Sequence, residues 1–127
     1  MFKDLRPYAT LATADMAKAR SFYEETLGLT VQNDSPFGVT YKCGDGQVFL
    51  YESAYAGTNK STAVSFEASV ESFDDEAEAL RQKGISFMTF DMEGMEWDNG
   101  VAIAGPIKSV WFSDPDGNIL NVSTGEM

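Results

Sequence analysis

A stretch near the end of the chain repeats one near its middle, and that repeat narrows the folds available. Asp116-Gly117-Asn118-Ile119-Leu120-Asn121 follows the apolar run Val110-Trp111-Phe112. Seventy-one residues earlier, Asp45-Gly46-Gln47-Val48-Phe49-Leu50 opens a strand after another apolar run. Pro115 fixes φ entering the later turn and Gly117 accepts a positive φ leaving it, so Lys108 to Val122 reads as a hairpin. With 127 residues, two copies of one module make one domain, residues 1–127, rather than two conventional ones.

The rest of the chain divides to match. Leu5 to Thr13 alternates as a strand packed on both sides, Asp15 caps a helix whose apolar stripe is Met16, Ala19, Phe22 or Tyr23, and Leu27, and Gly28 supplies its exit. Three short strands are expected near 29–33, 37–43 and 47–53, completing module 1 (residues 1–54). A small, polar linker, 55–62, leads to module 2, 63–127. There Ala63–Val70 reads as a strand, Ser72 as the cap of a helix with Phe73, Ala77 and Leu80 inward, and Ile85–Phe90 as the next strand. Residues 91–106 then form a long loop in place of a tight turn. Its two methionines and Trp97 suit either a lid over a ligand or plain packing. Each half thus reads strand, helix, three strands. Side by side, two halves make an α+β fold with a curved, eight-stranded mixed sheet around a cleft.

Thr13-Ala14-Asp15-Met16, leading into Ser21-Phe22-Tyr23 and Leu27-Gly28-Leu29, together with Asp114-Pro115-Asp116-Gly117-Asn118, resembles the glyoxalase, bleomycin-resistance and extradiol dioxygenase superfamily, also called the vicinal oxygen chelate superfamily. The resemblance spans essentially the whole chain. It implies paired βαβββ modules, a homodimer, and a ligand in the concave sheet.

Family enzymes that use a divalent metal take ligands from four positions on the first and last strands of each half. Carried over by the resemblance, these are Tyr8, seven residues before Asp15; Ala63; Asn121, three after Asn118; and, through the internal repeat, Leu50, with Glu52 as stand-in if the register slips by two. Leucine and alanine have no lone pair to donate, and neutral amide and phenol oxygens are weak ligands for such ions, so this set predicts a protein without metal or other cofactor. Alternation puts Glu52 on the face of Leu50, and Glu67 on the face of Ala63 and Ser65. The expected ligand-binding residues are therefore Tyr8, Leu50, Glu52, Ala63, Ser65, Glu67, Trp97 and Asn121. Glu52 and Glu67 read equally as solvated strand ends. Trp111 and Phe112 point to opposite faces, and alternation does not say which is core.

Composition removes whole classes of chemistry. There is no histidine, which eliminates the commonest general base and every Ser-His or Cys-His relay. Cys43 is alone and reads as a small strand filler. A net charge of −11 repels nucleic acid and anionic membranes and favours neutral or cationic guests. No apolar run approaches the length of a membrane span, and Met1–Arg6 lacks a signal-peptide core, so a cytoplasmic protein is expected. Two functions fit. One is a metal-free binder that sequesters a drug or metabolite, cationic or aromatic. The other is a lyase or isomerase using Glu52, Glu67 or Tyr8 as acid or base.

Overall fold

The computed structural model describes residues 1–125; the last two residues of the expected second module lie outside the described residues. After a short 3-10 turn (Phe2–Asp4), the elements are β1 (Ala9–Thr13), α1 (Met16–Arg20, continuing as a π-helical stretch over Ser21–Thr26), β2 (Thr30–Ser35), β3 (Gly38–Cys43), β4 (Gly46–Glu52), β5 (Thr62–Glu67), α2 (Phe73–Gln82), β6 (Glu96–Asp98), β7 (Val101–Ala104), β8 (Ile107–Ser113) and β9 (Ile119–Ser123). The nine strands form two sheets, ordered β1-β4-β3-β2 and β5-β9-β8-β7-β6. The chain folds into two compact units, residues 1–59 with 115–118, and residues 60–114 with 119–125.

In the first unit, the Asp15 carboxylate accepts the Lys18 N–H at 3.1 Å, the N-cap that starts α1. The helix lays Ala19 and Tyr23 on one face of the four-stranded sheet, where Leu11, Val39, Tyr41, Val48 and Leu50 are all buried. The Tyr23 and Tyr41 rings lie 6.0 Å apart. Beneath them Tyr41 donates to Glu24 Oε2 at 2.8 Å, and Arg20 holds the same carboxylate oxygen at 2.7 Å while reaching Asp34. The first strand is shorter than its alternation suggests: Leu5 and Tyr8 are exposed and outside the ladder, which begins at Ala9 opposite Val48. The two motifs that carried the family resemblance meet in this unit. Asp116 Oδ1 accepts the Ala14 N–H at 2.9 Å, and Asn118 Nδ2 donates to the Ala12 carbonyl at 3.0 Å.

In the second unit, α2 packs Phe73 and Ala77 against Val110, with Ala68, Phe87, Val101 and Val122 around them. Ser72 occupies the cap position without capping; its hydroxyl bonds Ser69, whose own hydroxyl takes the Ser72 N–H. The largest departure from expectation is in residues 85–106. Ile85–Phe90 forms no ladder and is held to β8 through Met88 N–H to the Trp111 carbonyl at 2.7 Å. The expected loop instead contains the β6–β7 hairpin, which pairs β7 with Ile107, Lys108 and Ser109 of β8. Asn99 and Gly100, at φ 50 and 81, make the two-residue left-handed turn whose twist suits adjacent strands. This Asn-Gly signal is in the sequence. The second module therefore has one strand more than the first, and the expected eight become nine.

Candidate functional site

Each sheet has one face covered by a helix, and the pleat decides which residues occupy the other. In the five-stranded sheet, the helix face carries Val110 and Val122, so Trp111 and Asn121 lie on the opposite, helix-free face. The register builds two rows there. One runs Ser65, Asn121, Trp111; the next runs Glu67, Ser123, Ser109, Ala102, Trp97. Four residues expected from sequence, Ser65, Glu67, Trp97 and Asn121, thus share one surface, and Trp111 joins them while Phe112 faces α2.

Phe90 completes an aromatic cluster. Its ring centroid is 4.9 Å from that of Trp111 and 5.3 Å from that of Trp97, both edge-on, and the two indoles are 6.2 Å apart. Beside them Met95, Ala102, Ala104, Ile107 and Ser109 line a hollow of about 140 Å³. Phe90 was not anticipated as a site residue, because its segment reads as an ordinary strand. Its only sequence signal is alternation with Phe87, which goes to the core.

Asn121 is the polar centre of this face. It is 1% exposed, and its Nδ2 donates to the Val110 carbonyl at 3.1 Å. A carbonyl only accepts, so the amide orientation is fixed. Among the described residues, Oδ1 is a buried side-chain oxygen with no hydrogen-bond partner. A buried acceptor left in that state costs on the order of 1–3 kcal/mol.

Ser65 and Glu67 are exposed, and Ala63 is half-buried where the β5–β9 register shifts. Tyr8, in the first unit, is 57% exposed. Leu50 is 0% exposed and pairs with Leu11 and Val39 on the face that α1 covers, and alternation puts Glu52 on the same side at an exposed strand end. The expectation that Leu50 and Glu52 line a helix-free face is therefore corrected. Matched 71 residues apart, Leu50 falls on Asn121, yet Leu50 faces α1 and Asn121 the helix-free side. Matching the two Asp-Gly turns by sequence leaves the following strands out of phase. The helix-free residues of β4 are Phe49 and Tyr51, stacked at 6.0 Å and opposite Thr10 and Ala12.

A metal, which the resemblance implies for part of the family, finds no suitable donors here. The carried positions Tyr8, Ala63, Asn121 and Leu50 offer a phenol, an alanine, an amide and a leucine. Among the described residues no three His, Cys, Asp or Glu side chains converge. The candidate acid–base groups Glu67, Glu52 and Tyr8 are all exposed. Among the described residues, no helix is long and apolar enough to cross a membrane.

The profile of the Glyoxalase/Bleomycin resistance protein/Dioxygenase superfamily matches residues 6–122. A protein named glutathione transferase FosA from Serratia marcescens is 30% identical over 125 residues, covering 94% of this chain and 80% of its own length. Among solved structures, a glyoxalase family protein from Enterococcus faecalis superposes with TM-score 0.71 at 17% identity, covering 97% of this chain and 99% of that one. The fosfomycin resistance protein FosX from Mesorhizobium loti does so at 0.69 and 16%, covering 98% and 94%. At such identities the structural likeness is one of fold.

Proposed function

Because the chain belongs to the glyoxalase/bleomycin resistance protein/dioxygenase superfamily, we propose that it is a metal-independent binding protein for a small organic molecule, held on the helix-free face of the five-stranded sheet. The observation that carries this reading is the buried Asn121 amide, its Oδ1 unpaired, directly across the ladder from Trp111 in the Phe90, Trp97, Trp111 cluster. An aromatic surface with one fixed polar group is the usual construction of a small-molecule site. A net charge of −11 selects for neutral or cationic guests over anions. We further read the protein as a cytoplasmic homodimer.

A lyase or isomerase needs a carboxylate or phenol tuned toward neutral pH, and burial is the ordinary means of tuning. Glu52, Glu67 and Tyr8 lack that burial, which favours the binder. The relatives' names, a glutathione transferase and a fosfomycin resistance protein, fit a scaffold that handles small organic compounds.

The test uses the tryptophans. Trp97 and Trp111 are the only two in the chain and both sit on this face. In a screen of neutral and cationic aromatics, a ligand is expected to raise the melting midpoint and change tryptophan emission together. Manganese, nickel or zinc is expected to leave the midpoint unchanged. A screen in which no compound does both, or a tightly held stoichiometric metal, overturns the reading.

A further inference from the structure

Resting on that reading, we propose that the hollow lined by Met95, Ala102, Ala104, Ile107 and Ser109 is a ring pocket that takes one neutral six-membered aromatic ring and rejects fused bicycles and anions. The small side chains at Ala102, Ala104 and Ser109 make the space. Ala102 lies opposite Ser109 and Ala104 opposite Ile107 in the β7–β8 ladder, so a gap opens where larger neighbours would meet. Trp97 is the cross-strand partner of Ala102, and Trp111 stands two residues from Ser109 on the same face.

Volume selects the guest. The hollow holds about 140 Å³; an apolar protein cavity of roughly 150 Å³ accepts benzene, so one ring fills it and the second ring of a fused bicycle must stay outside its walls. The lining selects against charge. No ionisable side chain lines it, and an ionised carboxylate moved there loses its hydration with nothing in return. Independently, the same sheet face carries the buried Asn121 amide, whose Oδ1 has no hydrogen-bond partner among the described residues. Met95, flexible and polarisable, forms the adjustable wall.

Calorimetric titration of the full chain with p-cresol, 2-naphthol and 4-hydroxybenzoate tests this. We expect saturable 1:1 binding of p-cresol, at least about tenfold tighter than either competitor. Naphthol is the more hydrophobic, so unspecific adsorption gives the opposite order. Ala104→Leu fills the hollow and is expected to weaken p-cresol at least about tenfold; Met95→Ala enlarges it and is expected to narrow the gap between p-cresol and 2-naphthol. The proposal is overturned if 2-naphthol binds as tightly as p-cresol, if p-cresol gives no saturable heat, or if a folded Ala104→Leu binds it unchanged. Should Ala104→Leu not fold, failure of Met95→Ala to narrow the gap overturns it equally. A compound from the wider screen that binds Ala104→Leu normally removes the ring pocket and leaves the binding reading standing; a screen without any ligand removes the binding reading itself.

Discussion

Asn121 lies directly opposite Trp111 in the β8–β9 ladder, with its amide nitrogen committed to the neighbouring Val110 carbonyl and its oxygen unpaired. The position at which family enzymes carry an anionic metal ligand is here neutral, buried and flanked by an indole. In the binding reading proposed above, it acts as a recognition group.

Replacing that amide by an acid tests how dry the site is. Asn121→Asp puts a carboxylate where the structure offers one carbonyl and aromatic rings, and is expected to cost about 2–4 kcal/mol at neutral pH. Burial raises the pKa of such an acid in the folded state. The deficit is therefore full at pH 7 and shrinks as the pH falls, once the acid is protonated and again offers a donor to Val110. Urea unfolding of both proteins at pH 7 and pH 5 measures this; an equal deficit at the two values contradicts it.

Glu24 anchors the first unit. The hydrogen bond from Arg20 chiefly, and that from Tyr41 as well, holds its carboxyl below the ordinary value of 4.5 against the opposing effect of burial. Glu24→Gln is expected to cost about 1 kcal/mol, a modest figure because the pair is partly solvated. A depressed acid stabilises the fold above its unfolded pKa and ceases to do so as pH falls through its folded one. The difference between wild type and variant is thus constant above about pH 4.5 and disappears below it. Denaturant midpoints from pH 7 to pH 3 are the measurement, and a difference that persists at pH 3 refutes the assignment.

The hairpin that carries Trp97 depends on Gly100. Its φ of 81 disfavours any side chain, and a Cβ there would sit 3.1 Å from Cβ of Phe87. Gly100→Ala is expected to cost about 1–2 kcal/mol. Because Trp97 sits in β6, the change should also shift tryptophan emission. A shift in stability with unaltered emission would show the cluster to be independent of the turn.

Sequence alone determined where the first helix starts, where both helices are left and where the last hairpin turns. Asp15 caps α1, Gly28 and Gly84 leave their helices with positive φ, and the Pro-Asp-Gly turn connects the last two strands. These are local interactions within a few residues, and residue type decides them. The lack of histidine likewise removed the commonest metal ligand and every histidine-based relay. Faces and pairing partners were decided only in three dimensions. A pleat has period two, so a slip of one residue in aligning the turns turned Leu50 from a helix-covered core position into an apparent pocket residue and hid Phe49. Which of Trp111 and Phe112 would face α2 depended on where the helix docked. The β6–β7 hairpin took the β8 edge because Asn99-Gly100 could close it locally, leaving Ile85–Phe90 to place Phe90 against the two tryptophans. Alternation tells a strand which residues share a side; only packing tells it which side is inside.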